Sequence, residues 1–463
     1  MSLLEHPKAQ ALLAEAEVSA EAVHGCEGRL TRFLQRYLPL FYREEQRELA
    51  EVVIAGKLSN LQRKTSEPIA YAADRERKPV QHFVGAGKWD DDAVMAELRR
   101  DVAEEIGEPD GVIIVDGSGF PKKGTESCGV GRQWCGRLGK VDNCQVGVFV
   151  AYASAKGHGP LDRRLYLPED WALDAQRREK CHVPKEVVFQ EKWRIALDLL
   201  ERSLTVPHRW VTADDEFGRV SAFRDWLRLH QQQYVVDVPC NTLVRELVRQ
   251  PDGRKPKFER AEVWAARQPA SRWKTIRVRQ GEKGPLRVQA IKVRVQTKDE
   301  DGWVGPVETL IVTRTLDQEK RTAYHLSNAP HQTKLWQLVC AGSQRHAIEE
   351  VLQKGKGDVG LGHYEVRSWV GWHHHMTLSL LALWFLESES RRAGEKNPGD
   401  DRRTSRRDIP IPTSTNASKL RPDRQSRHSC PSPHHRGTHL SPLHRHAAIP
   451  TAAQRGGWVE GLQ

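Results

Sequence analysis

The order of strand and helix patterns between residues 111 and 239 limits the fold more than any other feature of this chain. Three apolar or alternating runs of strand length come first: GVIIVDGSG (111–119), CQVGVFVAYAS (144–154) and PLDRRLYLP (160–168). Helices predicted at about 186–203 and 218–230 then alternate with short strands at 209–214 and 234–239. Three strands followed by alternating helix and strand predict an α/β domain with a mixed sheet and flanking helices.

Helical periodicity precedes this domain. Residues 8–65 place apolar side chains at helical spacing, with breaks expected at Pro39 and Gly56. A further helix is predicted after Asp90, because acids open a segment whose apolar residues then share one face. Together these patterns predict an N-terminal helical unit that ends near Asp110.

The segment 240–332, between the strand at 234–239 and the last predicted helices, has a different pattern. Residues 240–332 alternate polar and apolar positions between GEKG and KDEDG turns, which predicts a small antiparallel β insertion. Helical patterns return from Thr333 and end with a helix at about 373–387. The polar faces of the insertion carry four basic residues: Arg277, Arg279, Lys292 and Arg294.

The net charge of +11 is concentrated in two segments. Residues 241–340 carry an excess of nine positive charges and residues 391–463 an excess of eight, so the rest of the chain is slightly acidic. Basic segments of this kind favour a polyanionic partner. Residues 391–463 also contain eight prolines and few large apolar residues, which predicts disorder; an out-of-frame origin of this basic tail is an open alternative.

Several classes of protein are disfavoured by what the sequence lacks. The turn GSGFPKKGT does not have the GxxxxGK[ST] order of a phosphate-binding loop, and no GxSxG nucleophile motif is present. The eight cysteines include no CxxC pair, which favours reduced thiols over a disulfide scaffold or zinc ribbon. No signal peptide or membrane-spanning run is evident, so a soluble intracellular protein is expected.

Histidines cluster near the start of the last predicted helix. His363, His373, His374 and His375 do not have metal-ligand spacing, because adjacent residues of a helix point in different directions. A polar helix start that touches phosphate is the preferred interpretation of this cluster, and a zinc site is the alternative.

Three carboxylates, Asp116, Asp214 and Glu349, indicate more about function than the histidines do. Asp116 and Asp214 each end a predicted strand, and the carboxyl ends of strands in α/β sheets converge on the ligand crevice, although each aspartate alone is compatible with a turn or cap. Glu349 follows Arg345 by four residues and precedes Lys356 by seven, so all three share one helix face. An ordinary solvated ion pair explains that spacing equally well.

The combination of these residues resembles the DDE transposases of bacterial insertion sequences, whose catalytic domain is ribonuclease-H-like. The family signature of Arg, three residues, Glu, six residues and Lys is met by Arg345, Glu349 and Lys356, whereas Gly342 replaces a tyrosine that often stands three positions before the arginine. Further blocks that resemble the family, from about residue 30 to 390, are VDGSGFPKKGTESCGVGRQWCGRLGKVDNCQVGVF, PLDRRLYLPEDW, VTADDEFGR and GLGHYEVRSWVGWHHHMTLSLLAL.

The resemblance implies a catalytic triad that holds two Mg²⁺ ions, for which Mn²⁺ substitutes. Asp116, Asp214 and Glu349 would be the catalytic and metal-binding residues, because Mg²⁺ prefers carboxylate oxygens. Neighbouring acids stay open as alternatives: Asp215, Glu216 and Glu350. Arg345 and Lys356 would contact the DNA backbone, with Arg277, Arg279, Lys292 and Arg294 as further phosphate contacts.

The implied function is cut-and-paste DNA transposition by a cytoplasmic, nucleoid-associated homodimer without membrane contact. The enzyme would cleave double-stranded DNA at terminal inverted repeats and join the ends to target DNA, and a tryptophan of the insertion (Trp264, Trp273 or Trp303) would stack on a displaced base. A host nuclease or resolvase, or an inactive end-binding remnant, is the alternative. The expected regions are a helical DNA-binding region (1–110), two parts of the catalytic domain (111–239 and 333–390), the β insertion (240–332) and the tail (391–463).

Overall fold

Five helices precede the first strand in the computed structural model, which describes residues 25–136, 138–248, 254–281, 284–317 and 321–396. The helices are α1 (Cys26–Gln35), α2 (Glu44–Leu58), α3 (Ser66–Ala72), α4 (Arg77–Gly85) and α5 (Asp91–Ile106). The Asp90 side chain accepts a hydrogen bond from the Ala93 amide at 3.0 Å and so caps α5, as the acidic start of this segment predicts. The helical prediction for residues 8–24 lies outside the described residues.

The predicted break at Gly56 is wrong. Helix α2 continues through Gly56 to Leu58, and a Cβ atom on Gly56 would come within 2.5 Å of Ile69 on α3. The glycine therefore allows two helices to pack closely and does not end one of them. At Pro39 the chain does leave α-helical geometry, in a short 3₁₀ turn at Leu38–Leu40 between α1 and α2.

One continuous sheet of twelve strands runs through the described residues. Its strands are β1 (Val112–Pro121), β2 (Gly131–Cys135), β3 (Lys140–Ser154), β4 (Gly157–Leu165), β5 (Trp210–Ala213), β6 (Gln233–Val238), β7 (Leu243–Glu246), β8 (Glu259–Arg260), β9 (Lys274–Gly281), β10 (Gly284–Lys298), β11 (Val304–Thr315) and β12 (Thr322–Ser327). The strand order is β2-β3-β1-β5-β6-β12-β11-β10-β7-β8, with β4 beside β3 and β9 beside β10. The mixed α/β class predicted from the sequence is confirmed.

The central strands are parallel. Strand β1 pairs with β5 in parallel, with Val115 opposite Ala213, and β5 pairs in parallel with β6. Strand β3 runs antiparallel to β1 on the other side. Because β1, β5 and β6 point the same way, residues at their carboxyl ends meet at one edge of the sheet.

The strands of the segment 240–332 extend this sheet and do not form a separate one. Strand β12 pairs antiparallel with β6, with His325 opposite Asp237, and β11 and β10 follow outward. A second small apolar core lies beneath these outer strands, around the fully buried Trp264. The outer strands and the central strands are therefore joined by backbone hydrogen bonds across β6 and β12.

Nine helices in the described residues lie after β4. They are α6 (Glu169–Leu173), α7 (Ala175–Lys180), α8 (Lys192–Ser203), α9 (Asp215–Gly218), α10 (Ser221–Leu229), α11 (Ala261–Ala266), α12 (Leu335–Ser343), α13 (His346–Gly357) and α14 (Trp369–Lys396). Helix α8 starts later than the predicted 186, because the chain first makes a turn in which the Val187 amide donates to the Pro184 oxygen at 3.1 Å.

Helix α14 is longer at both ends than predicted. It runs past the expected start of the tail at residue 391, and Arg392 within it pairs with Glu389 at 2.9 Å. The expectation of disorder therefore fails for residues 391–396, and the rest of the tail lies outside the described residues. Despite its 28 residues, neither α14 nor any other helix in the described ranges is long and apolar enough to cross a membrane.

The histidines of α14 are core residues. His373, His374 and His375 are all buried, and their rings lie 2.9–3.2 Å from the backbone oxygens of Trp369, Trp89 and Leu361 respectively. Burial lowers the pKa of His373 and His374 to about 4. The interpretation of these three residues as a polar helix start that touches phosphate is therefore wrong.

Candidate active site

Asp116 and Asp214 lie side by side on adjacent parallel strands. Asp116 follows Val115 on β1, and Asp214 follows Ala213 at the end of β5, so the two aspartates are one step beyond a directly paired position. Asp116 accepts a hydrogen bond from the Gly117 amide at 2.7 Å, and Asp214 accepts one from the Glu216 amide at 3.1 Å as the cap of α9. Strand register thus brings together two acids that are 98 residues apart in the chain.

Glu349 reaches the same cleft from α13, which packs against β1. Its carboxylate is 2.8 Å from an Arg345 guanidinium nitrogen, and that nitrogen is 3.8 Å from Asp116 Oδ2. Asp116, Asp214, Glu349 and Glu216 all line one open cleft of about 650 Å³. The structure therefore brings the three sequence-predicted carboxylates to one place, with Arg345 between two of them.

The neighbouring acids separate into two groups. Glu216 lines the cleft and pairs with Lys192 at 2.6 Å. Asp215 is exposed and pairs with Arg219 on its own short helix, and Glu350 points toward His158 and Arg279 outside the cleft. Geometry therefore keeps Glu216 as an additional acid of the site and removes Asp215 and Glu350 from it.

Burial and crowding raise the pKa of both aspartates. The pKa of Asp116 is raised to about 6, mainly because the carboxyl is buried, and Arg345 offsets part of that rise. The pKa of Asp214 is raised to about 8 by burial first and by the charges of Asp116 and Glu216 next. Carboxylates crowded in this way attract a cation, since a cation relieves their mutual repulsion.

The side chains of the cleft offer oxygen ligands of the kind that hard divalent cations prefer. Carboxylates supply these oxygens, and no histidine or cysteine lines this cleft. In the described residues, however, no three His, Cys, Asp or Glu side chains stand in an arrangement that could hold a metal ion. The cation that stands between Asp116 and Glu349 is instead the Arg345 guanidinium.

Cationic and aromatic side chains line the rim of the cleft. Lys356 donates a hydrogen bond to Ser118 at 2.7 Å, and its ammonium lies 4.9 Å from the centre of the Phe120 ring. The indole of Trp134 on β2 is 60% exposed and lines the same cleft. The sequence interpretation missed Lys192 and Trp134, because nothing in their local pattern shows that a later helix and an earlier hairpin meet here.

Two further residues beside the cleft were also missed. Asp237 on β6 forms an ion pair with Arg345 at 3.0 Å, and His325 on β12 is 2.6 Å from the other oxygen of Asp237. A signal for Asp237 was present, since YVVDV is the third parallel strand with an acid near its carboxyl end. His325 had no such signal.

The four basic residues of the insertion do not form one surface. Arg277 lies opposite Arg287 on β10, so Lys292 and Arg294 face the other side of the sheet from it. Lys292 donates to the backbone oxygens of His331, at 3.1 Å, and Thr333, and Arg294 donates to Thr309 at 3.0 Å. Lys292 and Arg294 are therefore half-buried with structural contacts, whereas Arg277 and Arg279 are exposed, although Arg279 also contacts His346 and Glu350.

The three tryptophans considered for base stacking differ in exposure. Trp264 is fully buried and donates to Glu246 at 2.9 Å, so a stacking role for it is wrong. Trp273 is half-buried beneath the Arg314 guanidinium, 3.9 Å from the centre of its ring. Trp303 is 48% exposed and is the one of the three that offers a free ring face.

Comparisons with known proteins agree with a nuclease site. A family described as DDE superfamily endonuclease matches residues 36–285, a range that contains Asp116 and Asp214 but not Glu349. A "Probable transposase for insertion sequence element IS701" from Microchaete diplosiphon is 28% identical over 227 residues, which are 47% of this chain and 56% of that protein. The match thus spans about half the length of this relative.

Similarity to a solved structure is weaker. The NurA nuclease from Sulfolobus solfataricus aligns with 54% of this chain and 80% of its own, at 11% identity and a TM-score of 0.24, which is too low to support an argument about function. The family match, in contrast, covers more than half of the residues and includes two of the three clustered carboxylates. The chain belongs to the DDE superfamily endonuclease family.

Proposed function

We propose that this chain is a transposase that cleaves DNA at the ends of an insertion sequence and transfers those ends to target DNA. The observation that carries the proposal is the single cleft in which Asp116, Asp214 and Glu349 meet. The IS701 relative, itself named a probable transposase, supports it. Mg²⁺ held by these three carboxylates would supply charge stabilisation at the attacking and leaving oxygens of a phosphodiester.

The proposed catalytic domain is ribonuclease-H-like. Strands β4, β3, β1, β5 and β6 lie in that spatial order, and β3 runs antiparallel to the other four. Asp116 is on β1, the middle strand, and Asp214 directly follows β5. This arrangement supports residues 111–239 and 333–390 as two parts of one catalytic domain, with residues 240–332 as an insertion between them. The helices before β1 would bind the terminal inverted repeats.

The residues of the cleft have distinct proposed roles. Asp116, Asp214 and Glu349 repel phosphate on their own, so the DNA backbone must be held by cations at the rim. Lys356 and Arg345 stand beside the carboxylates and would bind the phosphate at the transposon end. Trp303, in the turn between β10 and β11, is the proposed stacking partner for a displaced base in hairpin-type second-strand cleavage. Two ends require two chains, so a homodimer is proposed.

The test is cleavage of linear DNA that carries the element's own ends, compared with DNA in which the ends are scrambled. We expect Mg²⁺-dependent nicks at the ends that expose a 3′-OH, followed by joining to a second DNA molecule. Cleavage that ignores the ends would favour a host nuclease or resolvase. Binding to the ends without cleavage in Mg²⁺ or Mn²⁺ would favour an inactive remnant.

Replacing both Arg277 and Arg279 with glutamine is expected to weaken DNA binding by about 10-fold at 0.1 M salt and to reduce the salt dependence by up to about two counterions. Both side chains are exposed on β9, and Arg279 also contacts His346 and Glu350. Fluorescence anisotropy across a salt series measures both quantities. Lys292→Gln is the comparison: because Lys292 holds backbone oxygens, we expect a loss of about 1 kcal/mol in unfolding free energy with nearly normal affinity. Equal affinities for the double variant and the unchanged chain would contradict this assignment.

A further inference from the structure

Asp237 and His325 form a chain of contacts that ends in the catalytic cleft. One oxygen of Asp237 is 3.0 Å from Arg345 Nε, and the other is 2.6 Å from His325 Nδ1. His325 Nε2 is in turn 3.3 Å from the Thr313 hydroxyl on β11. Both oxygens of Asp237 are thus engaged, one by the cleft and one by the outer strands.

The backbone holds these two residues opposite each other. Asp237 on β6 and His325 on β12 are direct partners in the antiparallel pairing that joins the central and outer strands. Their side chains are 22% and 12% exposed, so both are largely shielded from water. A contact supported by paired strands keeps its geometry better than one that depends on two loops.

Gly342 on α12 leaves room for His325. A Cβ atom added to Gly342 would lie 3.7 Å from His325 Nδ1 and 3.1 Å from a methyl group of Val235. A large side chain at position 342 would therefore meet the imidazole.

The ion pair with Asp237 helps to orient the Arg345 guanidinium. It stands at the start of α13 with its guanidinium between Asp237 on one side and Glu349 and Asp116 on the other. Without Asp237, the guanidinium would keep Glu349 and Asp116 as ion-pair partners, and its position would shift toward them. The Asp237 contact therefore holds the Nε side of the guanidinium, while the Nη1 side faces Glu349 and Asp116.

We propose that Asp237 and His325 are positioning residues for Arg345, and that they couple the outer strands to the catalytic cleft. This inference rests on the proposed function, since it assigns Arg345 a phosphate of the transposon end as its ligand. The simpler alternative is that the pair only stabilises the pairing of β6 with β12. The two readings differ in whether the effect of Asp237 on the reaction passes through Arg345.

A double-mutant cycle, measured by cleavage of transposon ends, distinguishes a positioning role from a purely structural one. The four proteins are the unchanged chain, Asp237→Asn, Arg345→Gln and the double variant, each assayed at saturating and at limiting DNA. We expect Asp237→Asn to lower kcat about 10-fold with KM for DNA changed less than about 3-fold, and Arg345→Gln to lower kcat about 100-fold. The double variant should be no slower than Arg345→Gln, because Asp237 acts through the arginine.

His325→Gln keeps the proposal testable if Asp237→Asn folds poorly. It should lower kcat about 3-fold or more alone and leave the rate of Arg345→Gln unchanged. Asp225→Asn, a half-buried acid on α10 away from the cleft, is the matched control and should cleave normally. The positioning role would be overturned if the losses multiplied in the double variants, or if Asp237→Asn and His325→Gln both cleaved normally. In either case, end cleavage by the unchanged chain would still support the proposed function. An unchanged chain that cleaves no ends would overturn both.

Discussion

Asp214→Asn is expected to reduce end cleavage by at least about 10³-fold while it makes the folded protein more stable at pH 8. The loss of activity follows because an amide cannot replace the charge that holds a divalent cation against DNA phosphate. The gain in stability follows because burial and nearby acids raise the pKa of Asp214 to about 8, so ionising it in the folded state costs free energy.

The sign of the stability change depends on pH. The unfolded aspartate ionises near its ordinary value of 3.8, so the folded chain holds its proton more tightly between that value and about pH 8, and stability falls as pH rises through this window. Asparagine removes the penalty. We expect the Tm of Asp214→Asn to exceed that of the unchanged chain by about 3 °C at pH 8 and to match it near pH 4.

The adjacent acid provides the control for Asp214→Asn. Asp215→Asn removes the adjacent acid, which is exposed and pairs with Arg219 outside the cleft, and should leave cleavage within about 2-fold of normal. Asp116→Asn and Glu349→Gln should abolish cleavage as Asp214→Asn does. Calorimetry gives the Tm, and a labelled-end cleavage assay gives the rate. Full activity of Asp214→Asn, or equal loss in Asp215→Asn, would show that the assigned aspartate is wrong.

At limiting Mg²⁺, the cleavage rate is expected to fall about 10-fold for each pH unit from about 8 to 6, and more steeply below 6. Protons and the cation compete for the same carboxylates, so Asp214 must lose its proton first, and below about pH 6 Asp116 must lose one as well. Above pH 8 both are ionised and the rate should level off. Initial rates across pH 5–9 at fixed ionic strength measure this profile.

The competition predicts how the profile responds to metal and to mutation. Raising Mg²⁺ to saturation should move the whole profile to lower pH, because the cation displaces the protons. Arg345→Gln removes a cation that lowers the pKa of both aspartates, so its profile should move to higher pH. A rate that is independent of pH between 6 and 8 at limiting Mg²⁺ would contradict the assignment of these two residues as the cation site.

The number of basic residues in the insertion does not predict which of them can bind DNA. The insertion carries a clear basic excess. Lys292, however, donates hydrogen bonds to backbone oxygens of a neighbouring loop, and Arg294 donates one to Thr309. A count of lysines and arginines does not separate charges that bind a partner from charges that hold the chain together. Strand pairing makes that separation, since it decides which side of the sheet each residue faces.

The sequence by itself determined the α/β class and singled out Asp116 and Asp214 as candidates, because an acid after an apolar strand run is a local pattern. The prediction that the first strand ends at Asp116 is wrong, since β1 continues to Pro121. The resemblance to transposases added Glu349, which the structure brings to the same cleft. The exclusion of Asp215 and Glu350 from that cleft and the burial of Trp264 depended on the tertiary structure. So did the contact between Asp237, His325 and Arg345. These contacts join residues that are far apart in the chain, and strand register and helix packing, which no local pattern specifies, set the distances between them.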